Sequence, residues 1–397
     1  MTSLRETFLK HVAQTSELPM MLEIEKAEGV WLYSPDGQKY LDLISGISVS
    51  SMGHCDPDVV AAVREQAGKY MHTMVYGEYL MSPQVELAEL LVNQLPNRLN
   101  SVYFCNSGSE ATEGAMKLAK RVTDRTEIIA CRNAYHGSTH GSMSIMSDTY
   151  FTQAYRPLLP NVRFIDFNDD EQLAQISKKT ACVVAETIQA EAGVILPENG
   201  YLKKLRKRCD GTGALLVLDE IQVGYGRSGT LFAFEQFAVE PDILLLAKAM
   251  GGGMPIGAFV SDKALLDQFR VNPILGHITT FGGHPVVCAA ALATLRKLVE
   301  TDLVARVNEK SDLFRSLLVH PAIKEIRGHG FLLAVDVGDF DRLQAVIAGA
   351  KELGIIIDWF LFQNTSFRIA PPLVISEEEI RYACKQLLTV LDRVYRK

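Results

Sequence analysis

Between Ser101 and Ser261 the chain passes through seven short apolar runs: SVYFC, EIIAC, VRFIDF, ACVVAE, LLVLD, ILLLA and AFVS. Most are separated by segments with helical spacing. Short apolar runs bounded by turn signals, alternating with helices, are the pattern of a large and mostly parallel sheet covered on both faces. In such an open α/β sheet, chemistry collects outside the carboxyl ends of the strands. Three of the runs end in residues suited to it. ACVVAE closes on Glu186, LLVLD on Asp219, and ILLLA is followed at once by Lys248. Asp219 and Lys248 are therefore expected to face one crevice.

A strand-end aspartate often caps a turn, and a strand-end lysine often snorkels to water. Lys248 is set apart by Gly251–Gly253 and Pro255, which follow almost directly. A lysine between a buried strand and a glycine-rich turn lies near low-dielectric surroundings. These depress its pKa and make the amine nucleophilic. Such an amine forms a Schiff base, and a neighbouring aspartate can keep a pyridinium nitrogen protonated, which suits pyridoxal phosphate.

Two motif matches in the same region are weak. Gly224-Tyr-Gly226-Arg-Ser-Gly229 fits the dinucleotide pattern GxGxxG but does not stand directly between a strand and a helix. LLVLDE resembles the acidic strand end of a nucleotide triphosphatase, yet the chain contains no GxxxxGK[ST].

The first run, SVYFC, leads into Asn106-Ser-Gly-Ser-Glu110 and a helical segment over Thr112–Arg121. Free N–H groups at a helix start attract anions, Gly108 permits close approach, and Ser107 and Ser109 add hydroxyl donors. The same residues also read as a plain serine cap with acidic residues in the first turn. Together with Lys248, the anion-binding reading gains weight.

DEIQVGYGRSG followed by LAKAMGGGMPIGA closely resembles the class III (ω-type) aminotransferases, with the ornithine, acetylornithine and 4-aminobutyrate branch nearest. Matching motifs run from about Gly29 to Pro372. The resemblance implies an α/β fold of the aspartate-aminotransferase type (fold type I): a large domain with a seven-stranded, mostly parallel sheet and a smaller α+β domain. It implies pyridoxal 5'-phosphate as cofactor and no metal. It assigns Lys248 and Asp219 to catalysis, Gly108 and Ser109 to the phosphate, Tyr135 to ring stacking and Gln222 to the ring hydroxyl. Ser107, Glu186 and His136 join the cofactor set, His136 either as a ring contact or as support behind it. Thr280, in HITTFGGHP, would reach the phosphate of a neighbouring subunit, so the active unit would be a homodimer. Arg368 in FRIAPPL would bind a substrate carboxylate, and Glu191 would pair with it when an amine enters. Tyr76 reaches the substrate mouth or simply packs. One departure concerns Ser138, in YHGSTHG: relatives of this branch typically carry arginine there, for the carboxylate far from the reacting amine. The reaction implied is transfer of an amino group, terminal on its donor, to a 2-oxo acid such as 2-oxoglutarate or pyruvate. A same-fold aminomutase or racemase, and a non-catalytic cofactor-binding module, are the alternatives.

The remaining chain fits this plan. Residues 1 to about 28 read as a helical arm, and 28–42 as a hairpin about Asp36-Gly37. LISGISVSSMGH, 43–54, would line the substrate mouth. Asp56-Pro57 opens a helix to about Tyr70, one or two helices span 285–318, and a final helix starts at Glu377. The expected divisions are 1–45 (arm and hairpin), 46–290 (large domain) and 291–397 (small domain). A net charge of −7 gives no electrostatic footprint for nucleic acid. Seven scattered cysteines without CxxC spacing point to a reducing compartment. MTSLRETFLKH lacks a signal-peptide core and no apolar run of about 18 residues exists, so a cytoplasmic protein with no membrane partner is expected.

Overall fold

The computed structural model describes residues 3–17 and 19–395. Strands are numbered in chain order. β1 (Lys26–Glu28), β2 (Trp31–Tyr33) and β3 (Lys39–Asp42) form an N-terminal meander. β4 (Ser101–Cys105), β5 (Glu127–Cys131), β6 (Val162–Ile165), β7 (Thr180–Glu186), β8 (Leu215–Asp219), β9 (Ile243–Ala247) and β10 (Gly257–Ser261) are the seven apolar runs, and they form one sheet.

The order in that sheet is β4-β10-β9-β8-β7-β5-β6. β10 is antiparallel to both its neighbours, while β6, β5, β7, β8 and β9 are parallel. The direction of β10 follows from its connection: residues 248–256 are too few for the crossover that a parallel strand requires. Every residue of β7 and β9 is buried, as expected of parallel strands covered on both faces. The helix Gly108–Thr123 lays Ala111, Ala115, Leu118 and Ala119 on the sheet. It comes so close that a Cβ on Gly114 would stand 2.3 Å from the Phe259 ring on β10.

β11 (Glu325–His329), β12 (Leu332–Asp336) and β14 (Ser366–Ile369) form a separate antiparallel sheet. β13 (Ile355–Ile356) instead pairs in parallel with β3, so the N-terminal meander is tied to the C-terminal part. Trp31 Nε1 donating to Glu379 Oε1 at 2.9 Å reinforces that tie. The final helix runs Glu377–Tyr395, and the 285–318 region divides into helices Pro285–Glu300 and Val307–Leu317.

The expected N-terminal helical arm is a correction. Only Leu4–His11 is helical, closed by a Ser3/Glu6 capping box, and Lys26–Glu28 is a strand. Its Ala27 pairs with Leu32 across the ladder, so a tertiary partner outweighs local helix preference. Among the described residues, no helix is long and apolar enough to cross a membrane.

Candidate active site

The ladder aligns Glu186 with Asp219 across β7 and β8, and Asp219 with Leu245 of β9. Three neighbouring strands thus deliver Glu186, Asp219 and Lys248 to one end of the sheet. Lys248 has φ +49°, a left-handed conformation that is uncommon for a residue with a side chain. It begins a tight turn closed by Gly252, where a Cβ would lie 2.1 Å from Thr294 Oγ1. Lys248 Nζ donates to Gln222 Oε1 at 2.8 Å. Burial pulls its amine down to about 8; Glu191, Asp219 and Glu186 act against that, and Arg368 adds to it.

Asp219 is held from two sides. Oδ1 accepts from the Ile221 N–H at 2.9 Å, and Oδ2 stands 2.7 Å from His136 Nδ1. Facing a carboxylate oxygen, Nδ1 is the protonated nitrogen. His136 Nε2 is left buried with no hydrogen-bond partner, as are Glu186 Oε2 and Gln222 Nε2. Burial, then the nearby Asp219, pushes the Glu186 carboxyl well above its usual range. Glu186 Oε1 accepts from the Ala190 N–H at 3.2 Å.

On the opposite wall, Ser107 caps the helix Gly108–Thr123, its Oγ accepting from Glu110 N–H at 3.2 Å. Gly137, at φ +125°, lets the next segment close on this cap, because a Cβ there would fall 2.1 Å from Ser109 Oγ. Ser138 N–H donates to Ser109 Oγ at 3.2 Å, and Thr112 Oγ1 donates to the His136 carbonyl at 3.0 Å. These contacts bring Tyr135 over the same space.

The result is a cavity of about 430 Å³. Of the residues singled out from sequence, Ser107, Gly108, Ser109, Tyr135, His136, Glu186, Asp219, Gln222 and Lys248 line it. Asn106, Ile221, Met254 and Ile256 line it too and were given no site role from the sequence, although each lies within a motif quoted for the site. Val49 comes from the 43–54 stretch. Asn106 Nδ2 donates to Thr279 Oγ1 at 2.8 Å, which fixes the cap against the 279–280 loop.

Other expected residues do not line this cavity. Arg368 and Glu191 form a buried ion pair, Nη2 to Oε2 at 3.0 Å. Burial alone would raise the Glu191 carboxyl; the Arg368 and Lys248 charges outweigh it and hold the group below its usual value. Ser138 is exposed, its hydroxyl 2.9 Å from that of Tyr135, and is not among the cavity-lining residues. Tyr76 and Thr280 share a different pocket, with His72 and Ile278, so the single chain does not bring them to Lys248. The GxGxxG match is a turn after β8, not a strand-to-helix junction. Its Arg227 is fully buried and donates to Phe331 O at 3.2 Å, to Ser51 Oγ at 2.9 Å and to Pro371 O, so it ties distant segments together.

A lysine amine, a helix N-terminus rich in small residues, an aromatic ring and a carboxylate thus surround one slot. Glu186 Oε2 and Gln222 Nε2 among these residues have no hydrogen-bond partner within the chain. These residues fit a phosphorylated pyridine aldehyde, and fold and site together define a pyridoxal-phosphate enzyme of the aspartate-aminotransferase type. The class-III aminotransferase family model matches residues 12–391, and the chain belongs to that family. An acetylornithine aminotransferase of Methanopyrus kandleri is 37% identical over 384 residues, covering 96% of each chain. Ornithine aminotransferase 2 of Staphylococcus aureus is 37% identical over 395 residues, covering 96% of this chain and 97% of its own. Among solved structures, the ornithine aminotransferase of Toxoplasma gondii superposes with a TM-score of 0.91 at 32% identity, covering 98% of this chain and 93% of that one. The protein is an aminotransferase that uses pyridoxal 5'-phosphate to pass an amino group to a 2-oxo acid.

Proposed function

We propose that the donor carries a terminal amine whose far end is neutral or held elsewhere than at Ser138, and that the acceptor is a small 2-oxo acid such as 2-oxoglutarate or pyruvate, bound through Arg368. The buried Arg368–Glu191 pair carries this reading. While paired, the arginine presents no net charge to a neutral amine. When Glu191 turns aside, the guanidinium offers a bidentate, charge-assisted grip on a carboxylate. Ser138 supplies only a neutral hydroxyl where ornithine-type relatives typically place an arginine.

Lys248 anchors the cofactor, and its freed amine then carries a proton between the donor's reacting carbon and the cofactor. Its depressed pKa leaves a usable share of free amine near neutrality. Asp219, oriented by His136 and Ile221 N–H, would keep the cofactor's ring nitrogen protonated. Tyr135 would stack on the cofactor ring, Gln222 and Glu186 would hold its polar groups, and Ser107–Ser109 would receive the phosphate. When bound, pyridoxal phosphate supplies the electron sink that the reaction needs. Thr280 and Tyr76 complete the site of a second copy in a homodimer, which accounts for their separation from Lys248 within one chain. Three parts follow the divisions 1–45, 46–290 and 291–397, and the protein works in the cytoplasm.

An ornithine-like donor is the second reading, favoured by the names of the relatives. A panel of amines against 2-oxoglutarate and pyruvate separates the two. Turnover of neutral-tailed amines well above ornithine and acetylornithine supports the first reading, and the reverse ranking overturns it. Consumption of the oxo acid distinguishes transamination from isomerisation within one molecule.

A further inference from the structure

The exchange at Arg368 raises a question of position. If Glu191 swings away for an incoming carboxylate, the buried guanidinium loses its hydrogen-bonded counter-ion. Such a charge is costly to leave unpaired, and the side chain becomes free to follow its partner. Asp358, two residues beyond β13, meets a different edge of the same group. Its Oδ1 lies 3.5 Å from Arg368 Nε, while Glu191 Oε2 takes Nη2 at 3.0 Å. Arg368 N–H also donates to the Asp358 carbonyl at 2.8 Å, and the guanidinium lies 4.5 Å from the Phe360 ring centroid. None of these three contacts is made to Glu191, although its Oε2 also accepts from the Leu361 N–H of the same segment at 3.1 Å. Arg368 Nε and Nη1 and Asp358 Oδ1 are buried without a hydrogen-bond partner, so the Asp358 side chain meets the guanidinium as an ion pair and not through a hydrogen bond.

We propose that Asp358 is a positioning residue, which holds Arg368 by its Nε edge while Glu191 and a substrate carboxylate exchange at the Nη edge. The inference rests on Arg368 taking the oxo-acid carboxylate. A guanidinium presents its donors in a rigid plane, so fixing one edge and one face leaves Nη1 and Nη2 as the pair for bidentate recognition. Asp358 also carries a negative charge that opposes the substrate's. At 3.5 Å it is the longer contact, and its side chain keeps 17% exposure against 5% for Glu191. Its repulsion is therefore the better screened, and its orienting effect dominates.

The test uses whole enzyme in the pyridoxamine-phosphate form, mixed in single turnover with 2-oxoglutarate or pyruvate and followed by cofactor absorbance. The amine half-reaction is followed separately from the aldehyde form, with the best amine of the panel. Asp358→Asn should raise the apparent KM for the oxo acid by about tenfold, with the limiting rate and the amine half-reaction changed less than about twofold. Asp358→Glu, which keeps the carboxylate, should recover most of that loss. Asp358→Asn combined with Glu191→Gln should forfeit the lowered oxo-acid KM expected of Glu191→Gln alone, because Arg368 then has no carboxylate partner. An unchanged or lowered KM in Asp358→Asn overturns the proposal. So does equal damage to both half-reactions, or a Glu variant no better than the Asn variant. Arg368→Lys serves as the separate control. If it leaves oxo-acid binding intact, the reading of Arg368 itself fails; if it impairs binding while Asp358→Asn does not, only the role of Asp358 fails.

Discussion

Replacing Glu191 with Gln tests the proposed exchange at Arg368 directly. The side chain keeps its shape and an oxygen that can still accept from Leu361 N–H, a bond of 3.1 Å in the parent. What is lost is the charge facing Arg368 across the 3.0 Å contact. With charge centres ~4 Å apart and an effective dielectric near 20, the pair is worth ~4 kcal/mol before desolvation. An oxo acid must displace that interaction and replace it with its own. Removing the competitor should therefore lower the apparent KM for 2-oxoglutarate or pyruvate by about ten- to a hundredfold, or roughly 1.4–2.7 kcal/mol. The amine half-reaction should move the other way, because a neutral-tailed donor then meets an uncompensated cation. The Lys248 amine should also titrate lower, since Glu191 is one of the charges that raise it. Single-turnover absorbance of the cofactor with each substrate separates the two halves. Equal loss in both halves, or an unchanged oxo-acid KM, would refute the reasoning.

Further outcomes follow from the same geometry. Borohydride should trap the cofactor on the peptide containing Lys248 and no other lysine, and Lys248→Ala should bind cofactor yet lose turnover. Capture of pyridoxal phosphate by cofactor-free enzyme should quicken as pH rises through about 8 and then level off, because the depressed pKa frees the amine there; a rise continuing toward pH 10.5 would show an unperturbed lysine. Gly137→Ala must leave φ +125° or drive its Cβ into Ser109 Oγ, so it should cost about 1–3 kcal/mol of stability and weaken cofactor binding, measured by melting and cofactor titration. Mixing inactive Lys248→Ala chains with inactive Thr280→Ala chains should restore activity in mixed dimers; a fully active monomer in sedimentation would exclude the shared site.

The sequence by itself determined the sheet and the residues at its strand ends. Parallel strands buried on both faces must be continuous apolar runs, and the residues that close them fall at one end of the sheet. LLVLD and ILLLA therefore announce Asp219 and Lys248 without any knowledge of contacts, and the serine-glycine-serine turn after SVYFC announces the cap in the same local way. The tertiary structure decided whatever depends on partners distant in sequence. The strand at Lys26–Glu28 exists because Trp31–Tyr33 pairs with it, against the helical expectation for the arm. Only the fold sets His136 Nδ1 beside Asp219, 83 positions away. Helix Pro285–Glu300 comes so close to the turn after Lys248 that a Cβ on Gly252 would fall 2.1 Å from Thr294 Oγ1, a constraint invisible in the sequence. Asp358 meets Arg368 across an antiparallel bridge between Trp359 and Phe367, a pairing that no apolar run in the sequence announces. Strand periodicity and caps are local properties of the chain. Ion pairs and strained turns are set by which surfaces the packed elements bring into contact.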